Sequence, residues 1–194
     1  VRFPSFKVGD IQVKEQIFST IEFHHNAPKK LKGRAFAGLL GGDFLARFVT
    51  KIDFKAKELT FFLPGDFNYK GNGHIIPAST VNGWMIIPGQ PENGKTGKWV
   101  LDTGAGVNLM NYTALRECGL TERARNGGQA VVMGVGGYKK MGIMDLESFK
   151  INDLEFNNTR FIAAINNDAG FISNKRYMGL VGLGMLDKYD IYLD

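Results

Sequence analysis

Cysteine is almost absent from this sequence, with Cys118 as the single one among 194 residues. An internal disulfide is therefore impossible, and we interpret Cys118 as a small buried apolar residue because no paired histidine motif stands near it. Histidine is also scarce, and neither His24-His25 nor His74 has a partner at the spacing that metal ligands need. We expect no metal and no other cofactor.

Long apolar runs are missing too, since none approaches the roughly 20 residues that a membrane helix needs, and we expect no membrane span. The apolar fraction of 44% with 22% charged residues is nevertheless ordinary for a globular protein that buries a core. The net charge of +5 is spread along the chain. Its one basic cluster, residues 29–34, has no interleaved aromatic residues, so we interpret it as a solvated loop and expect no nucleic-acid partner.

What the sequence does contain is a tight polar turn between two apolar runs, in residues 99–110 (WVLDTGAGVNLM). This pattern predicts a buried strand, a sharp turn at two glycines, and a second strand, with Asp102 at a strand end. A carboxylate between apolar strands is costly to bury ionised unless it is hydrogen-bonded or shares a proton with a second carboxyl group. Asp102 is therefore a candidate catalytic residue. The alternative is an Asp that only ties down its own turn.

Two further segments follow the Asp102 turn along the chain. Residues 131–138 (VVMGVGGY) fit a hairpin with a glycine-rich tip, and residues 180–189 (LVGLGMLDKY) place an apolar pair before Gly182. Together with Asp-Thr-Gly-Ala at 102–105, these segments resemble the retropepsin-like group of aspartic proteases, which includes small bacterial members. In that group a flap hairpin lies between the catalytic loop and an apolar-apolar-Gly element that leads into a short helix.

The resemblance implies a mostly β fold built from pepsin-like or retropepsin-like β-barrel lobes. It also implies hydrolysis of peptide bonds in a peptide or protein substrate, by a water that two carboxyl groups activate. The site residues that it implies divide into four roles: catalytic Asp102; the active-site loop Thr103, Gly104 and Ala105; the flap Gly136, Gly137 and Tyr138; and the loop-packing Val181 and Gly182. Thr103 would reach the backbone of an opposing loop, and Gly104 would let the two backbones approach closely.

An internal repeat divides the chain. Residues 5–11 (SFKVGDI) match residues 148–154 (SFKINDL) 143 positions later, and Gly38-Leu39-Leu40-Gly41 matches residues 179–182 (GLVG) 141 positions later. Two matches in the same order argue for duplicated structure. We predict that residues 1–66 form the C-terminal half of a first lobe and residues 67–194 a complete second lobe.

Alternation and turn residues predict the elements of both copies. In the first copy we expect strands at 6–8, 11–13 and 17–23, a helix within 43–48, and a hairpin of residues 50–54 and 58–63. In the second copy we expect strands at 74–79 and 84–87 before the Asp102 strand, and a helix at 112–118 between the caps Asn111 and Gly119.

The first copy shows no Asp-Thr-Gly of its own. Subtracting the 143-residue offset from Asp102 places a twin carboxylate about 41 residues ahead of Val1, and we expect the sequence to be cut at both ends. The second Asp would come from an upstream segment of the same precursor or from a second chain, as in retroviral proteases. A peptide-binding relic of a protease without catalytic activity is the alternative.

A rival function comes from residues 89–96 (GQPENGKT), which match the spacing of a phosphate-binding Walker loop. A nucleotide site of that kind needs a helix directly after the loop. Residues 97–101 (GKWVL) instead have a strand pattern, and Asn93-Gly94 is typical of a hairpin turn. Residues 134–137 (GVGG) likewise lack the helix of a dinucleotide fingerprint. We expect hairpin tips at both places.

Overall fold

The computed structural model describes residues 1–20, 30–31, 33–134, 137–166 and 176–194. Strands dominate these residues, and short helices connect some of them. The strands are β1 (Arg2–Val8), β2 (Ile11–Ile17), β3 (Lys30–Leu31), β4 (Arg34–Ala35), β5 (Val49–Asp53), β6 (Glu58–Phe62), β7 (Ser79–Val81), β8 (Trp84–Pro91), β9 (Gly97–Leu101), β10 (Asn108–Met110), β11 (Gln129–Gly134), β12 (Gly137–Ile151), β13 (Leu154–Ala163), β14 (Gly179–Val181) and β15 (Asp190–Leu193). The helices are α1 (Gly42–Leu45), α2 (Tyr112–Glu117), α3 (Thr121–Asn126) and α4 (Leu183–Leu186). The protein is mostly β, as predicted.

The largest sheet of the described residues has eight strands in the order β11-β12-β13-β10-β14-β9-β8-β7. Strand β12 also pairs with β8, where Phe149 lies opposite Pro91, so the sheet closes on itself. Closure satisfies backbone groups that an open sheet would leave at its edges. Strand β10 lies between β13, to which it is parallel, and β14, to which it is antiparallel.

Two hydrophobic clusters cover the faces of this sheet. Trp99 is completely buried in one of them, where its ring meets Phe149 edge-on at 4.9 Å and its Nε1 donates to the Gly89 carbonyl at 3.0 Å. Such an aromatic pair contributes about 0.5–1.5 kcal/mol beyond its buried area. Val100 faces the other cluster, because neighbouring residues of a strand point to opposite faces. Strand β9 is therefore anchored on both faces just before Asp102.

The repeated sequences fold into the same local elements. The turn between β1 and β2 has Gly9 at φ +55°, and the turn between β12 and β13 has Asn152, 143 positions later, at φ +54°. Glu15 and Asn158 are equivalent in the same way, with φ +58° and +48°. Helices α1 and α4 begin and end 141 positions apart.

The last strand, β15, pairs with β5 of the first copy in a three-stranded sheet of order β15-β5-β6. Lys51 lies opposite Tyr192, and these two residues are 141 positions apart. The antiparallel pair is thus centred on equivalent residues, which relates the two copies of this strand by a local two-fold axis. Lys51 also bridges Asp53 and Asp190 at 3.1 and 3.0 Å, and these bonds raise the pKa of its ammonium group.

Two strand predictions differ from the structure. Residues 74–78 are not in a strand, and β7 begins only at Ser79. The strand expected at 17–23 ends as β2 at Ile17; residues 18–20 are irregular, and residues 21–23 lie outside the described residues. The described part of the chain has no helix with the length and apolar character to cross a bilayer.

Candidate functional site

Asp102 lies immediately after β9, where the chain leaves the sheet and turns back into β10. Its backbone N–H donates to the Val181 carbonyl at 2.9 Å, which continues the pairing of β9 with β14. Its carboxylate Oδ1 accepts from the Gly104 N–H at 2.9 Å, and its carbonyl accepts from the Ala105 N–H at 3.2 Å. The side chain is half-buried. The strand end, the neighbouring strand and the turn together hold the carboxyl group in one place.

The segment around Gly182 packs directly against the Asp102 loop. The Leu183 N–H donates to the Ala105 carbonyl at 2.8 Å. A Cβ atom on Gly182 would lie 2.3 Å from the Val107 carbonyl oxygen and 2.6 Å from that of Ala105, so this position accepts only glycine. The structure thus brings Val181 and Gly182 against residues 102–107, where the sequence predicted loop packing.

Asn108 is a structural residue of this site to which the sequence interpretation gave no role. It is completely buried; its Oδ1 accepts from the Gly182 N–H at 3.0 Å, and its Nδ2 donates to the Arg160 carbonyl at 3.0 Å. One side chain therefore ties β10 to both of its neighbours. The signal was an amide inside the apolar run 107–110, because buried polar side chains need partners.

Thr103 and Gly104 lie in the turn itself. Thr103 is half-buried and Gly104 is exposed, and the nearest atom to a Cβ on Gly104 would be the Asp102 Oδ1 at 3.3 Å. Within this chain, the close approach of two backbones therefore occurs at Gly182 and not at Gly104. A contact of Thr103 and Gly104 with an opposing loop stays a prediction.

Strands β11 and β12 form the hairpin predicted as a flap. Ala130, Val132 and Met141 on one face of its base pack in the same hydrophobic cluster as Ala105 and Val107 of the Asp102 loop. Tyr138 lies opposite Met133 on the other face and is 47% exposed. Gly137 has φ +94°, and Gly136 lies outside the described residues. The base of the hairpin and the Asp102 loop are thus neighbours.

The Walker-like segment is the tip of the β8–β9 hairpin. Asn93 has φ +57°, and Gly89 pairs with Gly97 across the hairpin. The residues after the loop form β9 instead of the helix that a phosphate site needs. Glu92 holds the tip in place, because its carboxylate accepts from the Glu147 N–H at 2.9 Å and from the Arg123 guanidinium.

A sequence model of the family described as "Aspartyl protease" matches residues 87–184. Among solved structures, the chain is similar to a retropepsin-like aspartic protease from Rickettsia conorii, with 22% identity, a TM-score of 0.46 and coverage of 61% of this chain and 90% of that one. It is also similar to the retroviral protease-like domain of Ddi1 from Leishmania major, with 16% identity, a TM-score of 0.37 and coverage of 53% and 72%. No curated protein sequence matches.

Proposed function

The chain belongs to the aspartyl protease family, and from this premise we propose that it hydrolyses peptide bonds with Asp102 as one of two catalytic carboxyl groups. The observation that carries the proposal is the setting of Asp102. The carboxylate lies at a strand end, half-buried, on a loop that the Gly182 segment holds by backbone bonds. Rigid placement of a reacting group is what general acid–base catalysis requires.

The proposed chemistry uses water as the nucleophile and forms no covalent intermediate. Two carboxyl groups close together cannot both ionise cheaply, so one keeps its proton. The ionised partner takes a proton from the water between them while the protonated partner donates to the carbonyl oxygen of the substrate. Thr103 and Gly104 would contact the opposing loop, with Ala105 completing the turn. Gly136, Gly137 and Tyr138 would cover an extended peptide.

The second carboxyl group would come from an upstream segment of the same precursor or from a second chain. The duplicated elements support a two-lobed arrangement, with residues 1–66 as the C-terminal half of one lobe and residues 67–194 as the other. The local two-fold relation of β5 and β15 at Lys51 and Tyr192 is in keeping with it. The dyad would then lie at the base of a cleft between the lobes.

Cleavage of a peptide mixture, followed by mass spectrometry, tests this proposal on protein expressed from the full coding sequence. We expect cleavage at acid to mildly acid pH that a statine-type peptide blocks, since such a compound mimics the transition state. Asp102→Asn should lower the rate at least about 100-fold while leaving the melting temperature almost unchanged, because the substitution removes the titrating group and keeps the shape. Asp10→Asn, an exposed hairpin position, is the matched control and should cleave normally.

Two results would contradict the proposal. Undiminished cleavage by the Asp102→Asn protein would show that another group does the chemistry. Peptide binding by the wild-type protein without any cleavage would favour the non-catalytic relic instead.

A further inference from the structure

The surroundings of Gly41 and Gly182 can be compared directly, because the repeat makes these residues equivalent. Both precede a four-residue helix, and both have extended backbone, with φ −94° and ψ −175° at Gly41 and φ −120° and ψ −163° at Gly182. The β1–β2 and β12–β13 hairpins also share their register. A difference between the two surroundings therefore reflects what is packed against them.

In the second copy, the space beside Gly182 is filled by the Asp102 loop and β10. Leu109 lies opposite Leu180, Asp102 donates to Val181, and Asn108 bonds Gly182 and the end of β13. Leu180 is consequently only 6% exposed.

In the first copy, the corresponding space is an open groove. Leu39, the equivalent of Leu180, is 61% exposed, and Ile17 on the other wall is 64% exposed. The groove is lined by residues that repeat the walls around β10: Gln16, Ile17, Phe18, Leu39, Leu40 and Gly41. Exposed apolar side chains in a groove beside the end of β2 mark a surface that another segment covers.

A buried amide points to the same groove. Gln16 lines it and is 2% exposed; its Nε2 donates to the Asp43 carboxylate at 3.0 Å and to the Ile17 carbonyl at 3.2 Å. Its Oε1 has no hydrogen-bond partner among the residues that the structure describes. A buried amide oxygen without a donor is unfavourable, and a donor from an occupant would satisfy it. The Ile17 carbonyl is the equivalent of the Arg160 carbonyl that Asn108 bonds in the second copy.

We propose that this groove is the seat of a second strand and loop built like residues 102–110, supplied by a segment of the same precursor ahead of Val1. This inference rests on the proposed two-carboxylate function and identifies where the partner segment binds. The segment would run parallel to the end of β2 and antiparallel to Leu39-Leu40, as β10 does between β13 and β14. The Asp of this segment would then take the same position in the first copy that Asp102 takes in the second.

A second copy of the chain does not fit as the occupant. Its own Asp102 loop is already seated on its own Val181 and Gly182 through the bonds described above. Moving that loop into the first-copy groove of a partner chain would uncover the surface around Val181 and Gly182 in its own chain.

The occupant also differs from residues 102–110 at one position. Gly184 leaves room for Asn108, since a Cβ there would lie 2.9 Å from the Asn108 Nδ2. Asp43 stands at the equivalent position of the first copy and carries a carboxylate that Gln16 already bonds. The occupant residue equivalent to Asn108 would therefore donate a hydrogen bond to Gln16 or Asp43. Its side chain would also have to leave room for the Asp43 side chain.

Site-specific photo-cross-linking tests whether the groove binds this upstream segment. The full coding sequence is expressed with p-benzoylphenylalanine in place of Leu39, and with the same group in place of Ile75, which is 83% exposed and does not line the groove, as control. After irradiation, peptide mapping should join position 39, and not position 75, to a segment upstream of Val1 within a few residues of an Asp-Thr-Gly-like triplet. Cross-links from position 39 to residues of a second copy, no cross-link specific to position 39, or a coding sequence without such a segment would each overturn the proposal.

The outcome is independent of catalysis when the same mapping is done on Asp102→Asn protein. An upstream cross-link, together with wild-type protein that never cleaves peptides, would keep the proposed binding site and reject the protease function. Cleavage without an upstream cross-link would do the reverse. As a second variant, Leu39→Glu in the full-length protein should make the upstream segment much more sensitive to limited proteolysis, whereas Ile75→Glu should not, and equal proteolysis of the two variants would contradict the proposal.

Discussion

At the scale of single residues, the placement of Asp102 depends on the close approach of two backbones. Gly182 lies so near the Ala105 and Val107 carbonyls that any side chain there would push the loop away. Asn108 then fixes the separation by bonding the Gly182 N–H. The Asp102 carboxyl group is thus positioned by residues of the neighbouring Gly182 segment and β10.

Replacing Gly182 by Ala tests this dependence. We expect a loss of about 1–3 kcal/mol in the free energy of unfolding, because the new methyl group meets backbone atoms that cannot rotate away. Gly106→Ala, in the same loop but with open space around the added Cβ, should change it by less than about 0.5 kcal/mol. Urea denaturation of both variants measures the difference. Equal stabilities would contradict the close-packing account.

Cys118 illustrates a residue whose chemistry the fold suppresses. The thiol is 4% exposed, and burial raises its pKa to about 11. At pH 8 only about one thiol in a thousand would be ionised, and the thiolate is the reactive form. We expect a thiol reagent to label the native protein much more slowly than the urea-unfolded protein. Equally fast labelling of the two forms would contradict the buried position.

At the scale of elements, local signals predicted the hairpins well. Asn93-Gly94 predicted the β8–β9 turn, and alternating apolar residues predicted the last part of β1, the first part of β2 and most of β5 and β6. Asn111 caps α2 as expected, since its Oδ1 accepts from the Ala114 N–H at 2.7 Å, and Gly119 follows with φ +68°.

The errors at this scale have physical causes. The segment 74–78 has apolar residues but contains Pro77, which has no N–H for a ladder, and Ile75 is almost fully exposed. The insertion of β10 between β13 and β14 and the closure of β12 on β8 join residues far apart in sequence, and such pairings leave no local pattern to detect. The turn at Asp102 was therefore predictable from the local sequence, whereas its neighbours in the sheet had to come from the resemblance.

The equivalent turns of the two copies give a test of the repeat as a structural unit. Asn152 has φ +54° where the first copy has Gly9, so Asn152→Gly should leave the free energy of unfolding within about 0.5 kcal/mol of wild type. Asn152→Val should lower it by about 1–2 kcal/mol, because a β-branched residue is disfavoured at positive φ. Chemical denaturation measures both. A Val variant as stable as the Gly variant would show that this turn does not require the left-handed conformation.

At the scale of the whole molecule, the two copies meet where β5 pairs with its equivalent, β15. Because Lys51 lies opposite Tyr192, its own equivalent, the sheet of β5 and β15 carries the two-fold relation that a symmetrical pair of carboxyl groups would need. The aspartyl protease match covers residues 87–184, which include the Asp102 loop, the β11–β12 hairpin and the Gly182 segment. The second carboxylate that we propose lies outside these residues.

The pH dependence of kcat/KM for peptide cleavage tests the central claim most directly, because it reports the titration of the groups that react. Two carboxyl groups that share one proton titrate as a pair with separated apparent pKa values. We therefore predict a bell-shaped profile with its optimum in the acid range, and no comparable activity in Asp102→Asn protein. A rate that rises steadily to pH 8, or a bell-shaped profile that survives the substitution of Asp102, would contradict the account.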